Sequence, residues 1–402
     1  MKQFCKFQIQ LIFLISLITS GILYGGSYLT SKPNGLGIRV YDTGVRGIGM
    51  GRTGLASFDS VEVNNYGITQ WLNISLSRTS IGAIYNLVNT ELSENTFTTS
   101  TADLAKLNVA IPLQRKKMML GVTLQPYTFL DFKSTQPVVN EIQNFDQNTI
   151  YSGSISRAQL NFVWSPTPVV GFSINGNLFF GQLKDRFEFR FNNTGFSDTF
   201  HEVNYKINGP GIGFNLEVRP TPTVKIAGFV DLPPSLNISV DYSSASTPVE
   251  TQDRNFDTFP LHFGIGSALK LGSRWQISGD FSYQAWSEVQ DTPDPDFEDW
   301  YHAGFGFERS AKRQRGKGVL SKIDFRGGVS FTQLGYKFNN ESVSQKALHF
   351  GLGLPFAGFN NRIDIAFSGG MLGDNSKNLF QETFFKVDAA LSIGELWFQR
   401  VR

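Results

Sequence analysis

Residues 385–393 near the C-terminus read F-K-V-D-A-A-L-S-I, with apolar side chains at the odd positions and mostly polar or small ones at the even positions. Successive side chains of a β-strand point to opposite faces of its sheet, so this segment predicts a strand with one oily face. The same alternation recurs at 363–368, 323–331 and 275–284. The repetition predicts an all-β protein.

The lengths of the connections between these segments distinguish a membrane barrel from a soluble β-sandwich. Short turns fall at 113–117, 165–168, 219–222, 271–274 and 356–361, and mostly longer polar stretches lie between them. Transmembrane β-barrels combine short periplasmic turns with long outer loops. Following every connection predicts a closed antiparallel barrel of about fourteen strands between residues 75 and 395. Aromatic side chains near predicted strand ends are interpreted as headgroup-level girdles: Trp71, Trp164, Trp275, Tyr283, Trp286 and Trp397.

The composition agrees with such a barrel. The chain has 36 Lys+Arg and 34 Asp+Glu, so it lacks the basic excess that nucleic-acid binding usually requires. It combines 37 Phe and 40 Gly with only 17% charged residues. Beyond residue 25 no apolar run reaches the ~18 residues of a transmembrane helix. A helical membrane protein is therefore excluded.

The N-terminus predicts a signal peptide at residues 1–25. Lys2 and Lys6 precede an apolar stretch, and small residues follow it. The alternative is a single anchoring helix, which the short and polar-interrupted stretch disfavours. The only cysteine, Cys5, precedes the apolar stretch, which disfavours a lipid anchor. We therefore divide the chain into a signal peptide (1–25), an N-terminal hatch (26–73) and a barrel (74–402) in the bacterial outer membrane.

Residues 27–73 do not alternate and are rich in glycine, with seven glycines between Gly35 and Gly54. A phosphate-binding loop is disfavoured because no Gly-Lys-Ser/Thr motif follows. Glycine permits the positive φ angles that compact, irregular backbone requires. The segment is therefore predicted to pack inside the barrel as a plug.

The segment 43–56, T-G-V-R-G-I-G-M-G-R-T-G-L-A, resembles the start of FadL-type outer-membrane proteins, the long-chain fatty acid and hydrocarbon transporters. The family's Asn-Pro-Ala-Gly that follows is reduced here to Asn64-Asn65-Tyr66-Gly67. Further motifs resemble the Bacteroidetes-like version of the family: F-R-G-G at 325–328, H-F-G-L-G-L-P at 349–355, F-F-K-V at 384–387 and E-L-W-F at 395–398. The resemblance implies fourteen strands and an N-terminal hatch.

The resemblance also implies passive, hatch-gated uptake of hydrophobic, fatty-acid-like compounds, released sideways through a break in the third strand. Proline supplies such a break because it lacks the N–H donor of the ladder. We therefore expect Pro126 to open the wall beside Asn64, Asn65 and Tyr66 of the hatch. The alternative is a third strand that simply ends at Gln125.

Three phenylalanines are candidates for an inward, ligand-facing position. Phe229 falls on the face opposite Val224 and Ile226. Phe179 and Phe180 are adjacent, so one of them is expected to point inward.

Other functions remain as alternatives to uptake. The runner-up is a non-transporting FadL-like barrel that serves as a structural or protein-secretion shuttle component, and a general porin is disfavoured by the hatch. No catalytic residue, metal site or cofactor is predicted; the acidic loop 291–299 as a Ca²⁺ site and the basic run 312–317 as a phosphate contact rank below solvated loops. The predicted partners are outer-membrane lipid, a hydrophobic small molecule and, during biogenesis, the barrel-assembly machinery, without nucleic acid.

Overall fold

The computed structural model describes residues 27–31, 37–92, 95–138, 144–191, 195–256, 259–288, 297–311, 319–356 and 361–395. The predicted signal peptide, Trp397 and the basic run 312–317 lie outside these residues. None of the helices within these ranges is long and apolar enough to cross a membrane.

The described chain forms one closed antiparallel β-barrel. The last strand pairs with the first, as between Val387 and Tyr85, so the sheet has no outer edge at this seam. Fourteen strands result, which confirms the prediction. They are β1 (Ser77–Leu92), β2 (Asn95–Gln114), β3 (Met118–Val138), β4 (Phe145–Trp164), β5 (Val170–Phe191), β6 (Thr199–Thr221), β7 (Val224–Asp231 and Leu236–Ser244), β8 (Glu250–Phe256 and His262–Leu271), β9 (Trp275–Gln284), β10 (Trp300–Arg309), β11 (Asp324–Phe338), β12 (Glu341–Phe356), β13 (Asn361–Asp374) and β14 (Phe380–Glu395).

Strands β7 and β8 are each interrupted at the same height. The break in β7 contains Pro233 and Pro234, and the break in β8 contains Pro260. Proline cannot donate to a ladder, so the strands are interrupted there. Both halves of β7 pair with β6 and with β8, and both halves of β8 pair with β7. They therefore count as two barrel strands and not four.

The two faces of the wall differ in polarity as the alternation predicts. On β5 the outward Phe172, Ile174 and Leu178 are exposed, whereas the inward Ser173 and Asn175 are buried. An exposed apolar face around a barrel is the surface that lipid covers. Beyond Phe180 the outward positions of β5 become polar, so this strand continues past the membrane on the outer side.

The girdle interpretation holds for only part of its residues. Trp164 and Trp275 are exposed near strand ends, as expected at the headgroup level. Trp71 and Trp286 are buried, so their assignment to a girdle is wrong. The alternation of side chains could not predict their burial, because both residues lie outside the strands, in short 3₁₀ turns at Ile68–Asn73 and Trp286–Glu288.

Candidate functional site

The N-terminal segment, residues 27–31 and 37–76, is bonded to strands on all sides of the barrel and therefore lies in the lumen. It contains the turn Tyr28–Ser31, a two-residue strand Ile38–Arg39, a short helix α1 (Gly44–Ile48) and the turn Ile68–Asn73. Most of its residues are buried. This segment and the wall around it form the candidate site.

Glycines bring the N-terminal segment into direct contact with the wall. Gly51 has a φ of +73° and lies against the backbone of β10 and β11. A Cβ on Gly328 of β11 would lie 2.3 Å from the amide nitrogen of Gly51, and one on Gly306 would lie 2.2 Å from the Met50 carbonyl. Backbone therefore packs on backbone here, which only glycine permits.

A buried ion pair anchors the same segment to β13. Arg362 donates from Nη1 and Nη2 to the carboxylate of Asp59 at 2.8 and 2.9 Å. Its Nε donates to Asp364 on the same strand at 2.7 Å. The two hydrogen bonds between Arg362 and Asp59 form a bidentate pair, which is the strongest geometry for such groups.

The network continues across β11 and β10. Arg326 donates to Glu308 at 2.8 Å and to Asp364 at 2.7 Å. Arg46 of helix α1 donates to the same Glu308 oxygen at 2.7 Å. The side chains of Arg326 and Asp364 are completely buried. The wall therefore carries a buried series of alternating charges that ends at Glu308 on one side and at Arg362 on the other. Arg46 of the N-terminal segment bonds the first end, and Asp59 bonds the second.

Further anchors attach the N-terminal segment elsewhere on the wall. Lys106 of β2 donates to Glu62 at 3.0 Å, and Lys225 of β7 donates to the Ser57 carbonyl at 2.7 Å. The backbone N–H groups of Gly54 and Leu55 donate to Asp280 of β9. Other wall residues that bond the segment are Gln125 on β3, Glu217 on β6 and Glu382 on β14.

The charge of Asp59 sets how this anchor responds to pH. Burial raises the pKa of Asp59, but the nearby Arg362 and Arg46 more than offset it and hold the pKa well below its usual range. A depressed pKa contributes stability that is present above the unfolded value, near pH 4, and is lost only as pH falls through the lower folded value.

We therefore predict that Asp59→Asn lowers the stability of the folded barrel by a constant amount between pH 5 and 8. Breaking a buried ion pair costs about 3–5 kcal/mol. The midpoint of heat-induced unfolding in detergent, followed by gel mobility at several pH values, measures the difference. A difference that already shrinks between pH 8 and 5 would contradict the assignment.

The predicted hatch residues have structural partners. Asn64 donates to the carbonyls of Thr43 and Gly54 and accepts from the backbone N–H of Tyr66, so it organises the turn. Asn65 donates to Gln125, the residue before Pro126. The Tyr66 ring packs 5.1 Å from Phe229, measured between ring centroids.

Pro126 lies where the wall changes. The ladder between β2 and β3 ends at Leu107–Leu124, although β3 continues to Val138. The register with β4 slips between Pro126 and Thr128, so that Tyr127 and Thr128 both point inward. A bulge and a break in pairing thus coincide at Pro126. The alternative, a strand that ends at Gln125, is wrong.

Phe179, Phe229 and Tyr127 belong to one buried aromatic cluster in the lumen, together with Phe259. The Tyr127 ring lies 4.9 Å from Phe179 and 4.8 Å from Phe259. Phe180 lies on the outer face and is 39% exposed, so it does not join the others. Its opposite orientation follows from the two-residue period of β5.

Two buried arginines border this cluster, and alternation did not single them out. Arg39 donates to Tyr66 at 3.0 Å, and its guanidinium lies 3.4 Å from the Tyr127 ring centroid. Arg157 donates to Asp231 at 3.0 Å. Among the described residues, Nε and Nη1 of Arg39 and Nε and Nη2 of Arg157 have no hydrogen-bond acceptor. The lumen therefore holds free cationic donors beside apolar rings.

Among the described residues, a Ser–His–Asp arrangement lies in the lumen. His262 Nε2 lies 2.9 Å from Ser282 Oγ, and Nδ1 lies 3.6 Å from Asp231. Arg39, which can only donate, lies 3.1 Å from Nδ1, so Nδ1 accepts and Nε2 donates to the serine. Ser282 in turn donates to the Phe263 carbonyl. This direction of hydrogen bonds does not activate Ser282 as a nucleophile.

The acidic loop lies mostly outside the described residues. Of its members, Glu298 accepts from Ser342, and Asp299 accepts from Tyr283 and Ser287. Within the described ranges no cluster of three His, Cys, Asp or Glu side chains is arranged to hold a metal ion.

Known structures share the barrel. The Pseudomonas putida toluene transporter TodX aligns with a TM-score of 0.60 at 14% identity, covering 88% of this chain and 99% of that chain. A Pseudomonas aeruginosa FadL homologue aligns with a TM-score of 0.61 at 11% identity, covering 89% and 98%. The Ralstonia pickettii toluene transporter TbuX gives 0.59 at 12% identity, covering 87% and 98%. At these identities the likeness establishes the FadL-type fold.

No protein with a curated function matches the sequence at a significant level. The family model BamG matches residues 10–402, which is nearly the whole chain. Together with the closed barrel and its apolar outer face, this match assigns the chain to the bacterial outer membrane. The chain belongs to the BamG family.

Proposed function

We propose that this protein is a sealed outer-membrane barrel that serves the barrel-assembly machinery as an accessory membrane subunit. The observation that carries the proposal is the buried network between the N-terminal segment and the wall, with Arg46 and Asp59 bonded to Glu308 and Arg362. This corresponds to the non-transporting alternative drawn from the sequence, with barrel assembly in place of secretion.

Passive uptake supplies little energy for moving such a plug. Breaking one buried ion pair costs about 3–5 kcal/mol. A state that lies ~5.5 kcal/mol above the ground state is occupied by only about one molecule in 10⁴. Releasing the N-terminal segment breaks the pairs of Arg46, Asp59 and Glu62 together, so a spontaneously open lumen is rare.

The family assignment supports the same function, since the name BamG associates the family with barrel assembly. The barrel also has the apolar belt that a membrane-embedded subunit requires. A component that works through its outer wall and its exposed ends has no need of an open lumen.

Co-purification tests the proposal. For this experiment an affinity tag is added to the chain, and membranes of the tagged cells are solubilised in mild detergent. The amount of the central barrel of the assembly machinery is then measured in the affinity eluate. We expect it to be enriched over a control in which an unrelated outer-membrane barrel of the same cells carries the tag. Equal amounts in both eluates would contradict the proposal.

The second candidate is uptake of hydrophobic compounds, which the pairing break at Pro126 favours. The break leaves an opening between β2 and β3 beside the aromatic rings of Tyr127 and Phe179. The free donors of Arg39 and Arg157 suit a carboxylate head group, so a fatty-acid-like ligand fits the chemistry of this region. Such a ligand would need to displace the packed aromatic side chains.

For this candidate, Pro126→Val is the informative change. Valine restores a backbone N–H and favours the strand conformation, so the β2–β3 ladder can extend and the opening narrows. If uptake occurs here, we predict several-fold slower entry of a labelled long-chain fatty acid in cells, with unchanged barrel content in the membrane. Phe180→Ala, which alters the lipid-facing side, is the control. Equal uptake by the wild type and Pro126→Val would show that this proline has no role in uptake.

A further inference from the structure

Residues 100–106 of β2 pair with a neighbouring strand on one edge only. On that edge they pair with β1, from Leu87 down to Gly82. On the other side the ladder with β3 stops at Leu107. Among the described residues, no other strand pairs with β2 on that side.

The facing edge of β3 is already occupied by the chain itself. Ile38 and Arg39 pair in antiparallel register with Phe129 and Thr128. The backbone N–H of Val40 donates to the Tyr127 carbonyl at 2.9 Å, and that of Ser27 donates to the Asp131 carbonyl at 3.1 Å. Extended polypeptide thus completes one side of the opening by backbone pairing, while β2 keeps a free edge.

Part of that free edge lies at membrane depth. The outward residues of β1 are apolar up to Leu87 and become polar at Asn89, and Leu87 pairs with Ser100 of β2. Residues 100–106 of β2 therefore lie within the membrane belt. Lipid chains offer no hydrogen bonds, and each unpaired backbone group in that environment costs several kcal/mol.

The surroundings keep this edge accessible. Leu104 is 59% exposed, and the neighbouring Ala102 and Asp103 are exposed as well, so both faces of the strand are open here.

We propose that residues 100–106 of β2 form a docking edge that binds a transmembrane β-strand of another outer-membrane barrel by backbone pairing. The occupant is a strand because only a backbone supplies the alternating donors and acceptors that the edge lacks at membrane depth. Its outward side chains are apolar, to continue the lipid-facing belt next to Leu104. The inference rests on the proposed function and names the surface through which the barrel meets its partner.

Site-specific crosslinking tests the edge, and the chain suits it because its only cysteine, Cys5, lies in the predicted signal peptide. Leu104→Cys is labelled with a thiol-reactive benzophenone and irradiated in outer membranes. Leu178→Cys is the matched control, since Leu178 is also outward, apolar and 52% exposed, but lies on β5, which is paired on both sides. Peptides joined to the probe are identified by mass spectrometry.

We expect Leu104→Cys to give adducts with peptides from a transmembrane strand of one outer-membrane barrel, and Leu178→Cys to give lipid adducts only. In the purified complex, amide hydrogen exchange of residues 100–106 should be at least about tenfold slower than in the isolated chain. Lipid adducts alone at Leu104, equal protein adducts at both positions, or unchanged exchange would overturn the docking edge. The co-purification described above stands separately: if the barrel is retained with the assembly machinery but Leu104 meets only lipid, the function survives and the edge does not.

Discussion

Replacing Arg326 with Met is expected to destabilise the barrel by about 3–5 kcal/mol, because removing one partner leaves buried charges uncompensated. Arg326 is fully buried and donates to both Glu308 and Asp364. Methionine fills a similar volume without a charge. Glu308 retains Arg46, and Asp364 retains Arg362, so the network loses its centre while both ends remain.

Heat-induced unfolding in detergent measures this loss. We expect the Arg326→Met barrel to unfold at a markedly lower temperature than the wild type. Arg190→Met is the control, because the Arg190 side chain is mostly exposed and its pair with Glu188 is worth at most about 1 kcal/mol. Equal unfolding temperatures for the wild type and Arg326→Met would show that the network contributes little to stability.

Replacing Gly328 with Val is expected to displace the N-terminal segment from the wall. The new Cβ would lie 2.4 Å from the Met50 carbonyl carbon and 2.7 Å from the Phe305 carbonyl oxygen. Both are backbone atoms, which cannot move aside as the end of a flexible side chain can. Overpacking of this kind costs about 1–3 kcal/mol, and the segment between Ile48 and Thr53 must shift to relieve it.

Planar bilayer recordings measure the consequence. We expect the wild type to be closed and Gly328→Val to show resolvable channel openings. Gly176→Val is the control, since a Cβ at Gly176 meets nothing within 4 Å. Gly328→Ala, with a smaller added group, tests the same contact if the valine variant does not assemble. Recordings from Gly328→Ala and Gly328→Val that both match the wild type would contradict the seal.

The alternation of side chains was enough to predict the barrel. Polar side chains such as Asp364 and Asp388 fall at every second position among apolar ones, so the strands and their count follow from the sequence. The turns are also local, because proline and short polar stretches mark them. Pro233 and Pro260 do not mark turns: β7 and β8 are each interrupted there and continue beyond the break.

The contacts in the lumen could not be predicted in this way. Asp59 and Arg362 are 303 residues apart in the chain, and no local pattern pairs them. A weaker signal was present: Glu308 and Arg326 occupy inward positions of strands whose outward side chains are largely apolar. A charged residue at such a position indicates a buried partner, although the sequence does not name it.

For the candidate ligand residues, the alternation of side chains between the two faces of a strand decided which of them lie in the lumen. Phe179 and Phe180 were equivalent by sequence, and only the register of β5 places Phe179 in the lumen and Phe180 in the lipid. Tyr66 and Phe229 meet although 163 positions separate their numbers, because the N-terminal segment folds back against β7. Their role in ligand binding stays a prediction.

Depletion of the protein in cells, followed by quantitative proteomics of the outer membrane, tests the central claim most directly. We expect folded barrels of other proteins to decline before growth stops, and re-expression of the wild type to restore them. Unchanged levels of other barrels, with a loss confined to the uptake of hydrophobic compounds, would contradict it.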